Sequence, residues 1–93
     1  MIRINLIREH SVLLLMVEGT LSAGWVNELE KCWLEIRPVT NGGQLKVDLS
    51  GVSYIDEQGR QLLKRMFNEG AELRATGVMT RGIIDEITGP SSS

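Results

Sequence analysis

The sequence predicts a small α/β protein: a mixed, mostly parallel four-stranded sheet with helices packed on one face. Three observations predict it. Leu45, Val47 and Leu49 alternate with Lys46, Asp48 and Ser50, the period-2 pattern of a strand with one buried and one wet face. Leu62, Leu63, Met66 and Phe67 then recur at helical spacing, with Arg60, Gln61, Lys64 and Arg65 outside that stripe. Strand patterns alternate with helical ones along most of the chain, which is the order of strand-helix-strand crossovers. Right-handed crossovers with helices on one face put three parallel strands in sequence order, with the N-terminal strand antiparallel to the second.

In chain order, Ile2, Ile4 and Leu6 alternate with Arg3 and Asn5, predicting a strand over residues 1–7. Arg8-Glu9-His10-Ser11 is polar enough for a hairpin loop. Val12 to Glu18 is a nearly continuous apolar run, as expected of a central strand over 12–18. Ser22 is an N-cap candidate for a helix over 22–37, stopped by Pro38. Its stripe is Trp25, Val26, Leu29, Cys32, Trp33 and Ile36, with Leu34 on the opposite side. Asn41-Gly42-Gly43 marks a loop. The third strand spans 45–50, and Gly51 interrupts it before Val52, Tyr54 and Ile55. Asp56 caps a helix over 57–69, Glu57 complements its dipole, and Gly70 ends it. Gly59 weakens helix propensity, so its expected role is the close approach of another backbone. Ala71, Leu73 and Ala75 predict a strand over 71–76, and Thr80 caps a short helix over 80–88 carrying Ile83, Ile84 and Ile87. Residues 1–89 form one domain and 90–93 a tail.

Composition narrows the function classes. Net charge is −2 with no basic block, which argues against a nucleic-acid footprint. One cysteine excludes an intrachain disulfide and fits a reducing compartment. No apolar run approaches bilayer length and no signal-peptide layout opens the chain, so a cytoplasmic location without direct membrane insertion is expected. His10 has no convergent metal ligands in view, Cys32 lies on an apolar stripe, and Gly42-Gly43 lacks the lysine and hydroxyl of a phosphate loop. No nucleophile-base pair and no acid-base carboxylate pair assembles, so the expectation is not an enzyme, with no cofactor and no metal.

A strand, then Ile55-Asp56-Glu57-Gln58-Gly59, then an amphipathic helix resembles the STAS domain of anti-sigma-factor antagonists. Gly19-Thr20-Leu21 leading into a helix fits the same resemblance, which covers about Leu13 to Gly89. The family motif is a hydrophobic residue, Asp, two hydroxyl residues and Gly. Asp56 and Gly59 match it, while Glu57 and Gln58 stand at the hydroxyl positions. Gln58 occupies the phosphoacceptor position and has no hydroxyl to esterify. Being neutral, it also does not imitate the roughly −1.5 to −2 charge of a phosphate.

The resemblance implies a protein-interaction module. Its partner would be an anti-sigma factor or kinase-like protein, bound through Ser53, Asp56, Glu57, Gln58 and Arg60 without a switch at Gln58. An accessory subunit docking on a transporter ATPase and a small-ligand or nucleotide sensor are the alternatives. Asp56 and Glu57 each have a structural role that competes with these, as cap and dipole partner. Ser50 and Ser53 are nearby hydroxyls that also suit turns. Family members usually continue beyond the point matching Ser93, so the resemblance implies an uncovered sheet edge or helix face that favours a homodimer or a bound partner. Ile83, Ile84, Ile87 and Leu34 are the apolar candidates.

Overall fold

The computed structural model describes residues 2–36 and 44–88. In chain order these form β1 (Ile2–Glu9), β2 (Val12–Leu21), α1 (Gly24–Ile36), β3 (Gln44–Ile55), α2 (Glu57–Asn68), β4 (Glu72–Arg74) and α3 (Val78–Thr88). The sheet order is β1-β2-β3-β4. β1 runs antiparallel to β2, while β2 with β3 and β3 with β4 are parallel. The topology is the one that the strand-helix alternation predicts. The Pro38 stop, the Asn41-Gly42-Gly43 loop, the Gly89-Pro90 stop and the tail lie outside the described residues.

The helices share one face of the sheet. Leu13, Leu15 and Val17 of β2 and Leu45, Val47 and Leu49 of β3 are buried in one cluster with Leu29 and Trp33 of α1, Leu62, Leu63 and Met66 of α2, and Ile84 of α3. The alternate residues Leu14, Met16, Lys46 and Asp48 are only half-buried. Burial of the first set removes water from a continuous apolar layer, which is the main term holding helices to sheet. α3 brings Ile84 into this core at 8% exposure, with Ile83 and Ile87 packed against it. Its apolar face therefore covers the sheet and is not left open for a partner.

Several boundaries differ from the periodicity. β3 runs on through Gly51 to Ile55, because β2 continues to pair with it as far as Leu21 with Ile55. Register shifts between Met16 and Glu18 and between Gly19 and Thr20 give β3 extra residues there. Each extra residue resets the face, which returns Val52 and Ile55 to the core and turns Ser53 and Tyr54 outward. A period-2 reading loses such a strand at the first bulge. β4 is shorter than expected, at three residues. α3 begins two residues before Thr80, so Thr80 lies inside the helix and is not the residue that precedes it. Ser22 is likewise not the residue flanking α1. Ala23 is, with φ 51, and Ser22 contributes its carbonyl to the Trp25 N–H at 3.0 Å.

The α2 ends follow their sequence signals. Gly70 has φ 106, donates to the Phe67 carbonyl at 3.0 Å, and is followed by Ala71 donating to the Met66 carbonyl at 3.0 Å. Those two bonds make a Schellman ending, in which only a glycine takes the left-handed position without steric cost.

Candidate functional site

The site lies where the C-terminal ends of β2 and β3 turn into α1 and α2. Leu21 pairs with Ile55, and the Asp56 N–H donates to the Leu21 carbonyl at 3.1 Å. The two strand ends are thus sewn together immediately before both helices start. Asp56 is extended (φ −89, ψ −176), and its Oδ1 accepts from the Gly59 N–H at 2.8 Å. This is the N-cap bond from the third helical residue. Its Oδ2 accepts from the Ala23 N–H at 3.0 Å, just ahead of α1. The first turn of α1 contains no acidic residue of its own. One carboxylate therefore supplies negative charge to the starts of two helices. Those backbone bonds, from Ala23 first and Gly59 second, hold the Asp56 carboxyl below its usual value.

Gly59 is buried, and its backbone is the reason. A Cβ there would meet the Leu21 carbonyl oxygen at 2.7 Å and two apolar carbons, of Ile55 and Leu21, at 3.0 Å. Close approach of α2 to the end of β2 is what the glycine permits, as its cost to helix propensity suggests.

The other predicted site residues separate into two groups. Ser53 is exposed, and its hydroxyl donates to the Gly19 carbonyl at 3.3 Å, which ties the bulged end of β3 to β2. Arg60 reaches across to Glu86 of α3 and forms an ion pair with it. Both side chains thus have intramolecular work. Glu57 and Gln58 are exposed in the first turn of α2, Glu57 accepting a long bond from the Gln61 amide at 3.4 Å. Among Ser53, Asp56, Glu57, Gln58 and Arg60, it is Glu57 and Gln58 that stand outward at a helix start.

Two aromatic residues accompany this end of the molecule and were not among the candidates. Tyr54, two positions before Asp56, is 57% exposed, and Trp25, in the first turn of α1, is 40% exposed. Trp25 was expected on the buried stripe. It sits at the margin of that stripe, one position before the buried Val26. Phe67, also placed on a stripe, is 36% exposed. With only four aromatic residues in the chain, three left this open is a signal that composition alone does not carry. Exposed Tyr and Trp are the residue types that most often anchor protein contacts.

The remaining polar groups are structural. Asp48 Oδ1 accepts from the Ser50 N–H at 2.9 Å, and the Ser50 side chain and backbone hold that carboxyl low. Burial pushes the Cys32 thiol up, helped by the nearby Glu35 charge, which disfavours the reactive thiolate. Arg65 bonds Glu30 at 2.9 Å and lies 5.5 Å over the Trp33 ring, linking α2 to α1. Among the described residues, no helix is long and apolar enough to cross a membrane.

No protein-family profile matches the chain, and no curated protein does. Solved structures do match in fold. A crystal structure of Mglu superimposes with a TM-score of 0.61 at 19% identity, covering 78% of this chain and 19% of that one. A crystal structure of Mglu in its native form gives 0.65 at 18% identity, over 77% and 23%. This chain thus spans only about a fifth of the length of those proteins. At that identity the likeness shows the fold, a small α/β unit that also occurs inside longer chains.

Proposed function

We propose that the chain is a non-catalytic protein-interaction module of the STAS type. It would bind a kinase-type or anti-sigma partner through the start of α2, without a phosphoswitch at Gln58. The observation that carries this reading is the division of labour at Asp56–Arg60. Asp56 bridges two helix starts, Gly59 permits the close approach, and Arg60 pairs with α3, so the three residues with structural work fix the position of the two that face outward. Glu57 and Gln58 are those two, with Tyr54 and Trp25 exposed on the adjoining segments. A polar helix start beside exposed aromatic side chains has the make-up of a protein-docking surface.

A phosphate at the start of α2 would meet backbone N–H groups and a favourable dipole, and its charge would fall within the docking surface. Gln58 keeps that helix end and removes the covalent step. Control then comes through partner abundance, another hydroxyl or a ligand.

The test uses the purified protein with a kinase-type anti-sigma factor as the probe. Calorimetry is expected to show binding that Glu57→Lys and Tyr54→Ala each weaken by about tenfold or more, with circular dichroism unchanged. With ATP present, mass spectrometry is expected to find phosphate on a Gln58→Ser variant and not on the parent. Stoichiometric phosphate on Ser50 or Ser53, with loss of binding, overturns the unswitched reading. Binding that ignores both substitutions overturns the surface.

A further inference from the structure

The two edges of the sheet are unequal. β4, on one side, has three residues. β1, on the other, has eight, with no proline and no register shift against β2. Among the described residues no strand pairs with the outer side of β1. Half of its N–H and C=O groups therefore form a straight open ladder, the kind of edge that natural sheets shorten, bulge or cover. Leu6 makes the exposure sharper. It is paired with Leu15, which is completely buried, so it lies on the helix-covered face, yet it is 44% exposed.

We propose that a second copy of this chain covers the edge. β1 pairs antiparallel with β1 of the other copy about a twofold axis through Leu6, giving a continuous sheet with four strands from each copy. The register follows from the side chains. A twofold axis perpendicular to the sheet keeps each face on its own side, so opposed residues must be both odd or both even in number. Centred on Leu6, this sets Leu6 against its symmetry mate on the helix-covered face and Arg8 along Ile4. On the other face, Arg3 of each copy stands opposite Glu9 of the other. Opposite charges directly across a ladder stabilise it, and two half-open leucines complete each other's burial. Arg3 lies 3.9 Å from Glu18 with 72% of its side chain exposed, so its guanidinium is open to a second carboxylate. Centring on Asn5 instead would place Arg3 opposite Ile7 and leave Glu9 without that partner. The β1 edge is at the far side of the sheet from β4 and independent of the reading given for α2.

Light scattering on the intact chain is expected to show the mass doubling from 10.3 kDa as concentration rises. Leu6→Lys puts two ammonium groups across the axis, and is expected to weaken the dimer by about tenfold or more. Directly opposed residues in an antiparallel pair sit about 4.5–5.5 Å apart, within disulfide reach. In a Cys32→Ala background, Leu6→Cys is therefore expected to cross-link on mild oxidation and Asn5→Cys to stay largely monomeric. The cross-linking arm decides the matter should Leu6→Lys lose its circular dichroism. A monomer up to the solubility limit, a dimer that folded Leu6→Lys leaves intact, or preferential linkage through Asn5→Cys would each overturn the proposal.

Discussion

Replacing Asp56 with Ala removes two hydrogen bonds that hold two helix starts. Loss of a good N-cap costs ~1 kcal/mol. The second bond, from the Ala23 N–H to Oδ2, is charge-assisted and spans 33 residues, but it is exposed, so water can replace the lost acceptor. That places its share at about 0.5–1.5 kcal/mol. The sum is about 1.5–2.5 kcal/mol, a large part of the stability of a small domain. A domain of this size loses about 4–8 °C of Tm per kcal/mol, so a fall on the order of 10 °C is expected by calorimetry. Asp56→Asn separates the two contributions. Its single amide oxygen can still cap Gly59, while its NH2 faces the Ala23 donor, so it should lose only the second share.

The pH dependence follows from the same bonds. The folded carboxyl of Asp56 titrates below its unfolded value, so its contribution is present above the unfolded pKa of about 3.9 and disappears as pH falls through the folded pKa. The parent should therefore lose more stability than Asp56→Ala on acidification below about pH 4. A urea midpoint for Asp56→Ala within experimental error of the parent would refute the bridging role. Such a result, combined with lost partner binding, would make Asp56 a contact residue.

Gly59→Ala should destabilise by about 1–3 kcal/mol in urea melts, because its Cβ would strike a backbone oxygen and the gain in helix propensity is smaller than the overpacking cost. Gly51→Ala is expected to destabilise by about 1 kcal/mol, since its Cβ would meet Glu18 Cγ at 2.6 Å and Cβ at 3.1 Å, near the root of that side chain, and the entropy gained by replacing glycine offsets only part of this. Arg65→Ala should lower stability by about 0.5–1 kcal/mol through its loss from Trp33 and Glu30, with only the Glu30 part sensitive to salt.

The sequence displays what is local. Alternation at Leu45–Leu49, the helical stripe at Leu62–Met66, the Asp56 cap and the Gly70 ending are all set by residues close along the chain, and the structure has each of them. Strand order also follows, because crossover handedness leaves few arrangements. What stayed hidden depends on distant segments. β3 continues past Gly51 only because β2 offers a bulged register there, and the helix-capping Asp56 acquires its second partner from Ala23 only after the sheet has formed. Arg60 reads as a free surface cation until α3 brings Glu86 to it. Trp25 shows why a helical stripe overstates burial. Its neighbour Val26, in the same turn, is buried at 6% exposure, so Trp25 stands at the edge of the buried arc and leaves the core by one step around the helix.

The unequal sequence distances in the sheet also fix an order of assembly. Leu6 meets Leu15 after 9 residues, through a turn at His10 and Ser11, whereas Leu15 meets Val47 only after 32 residues (47 − 15), with all of α1 between them. Closing the longer loop costs about 1 kcal/mol more in chain entropy, before any contact rewards it. The β1–β2 hairpin consequently forms early and the docking of β3 along β2 is the slow event. In stopped-flow refolding, Val47→Ala should act mainly by slowing folding, since Val47 lies on the strand whose docking closes the longer loop. Until β3 arrives, the whole inner side of β2 is bare, which makes the hairpin the form of this chain most exposed to self-pairing during synthesis.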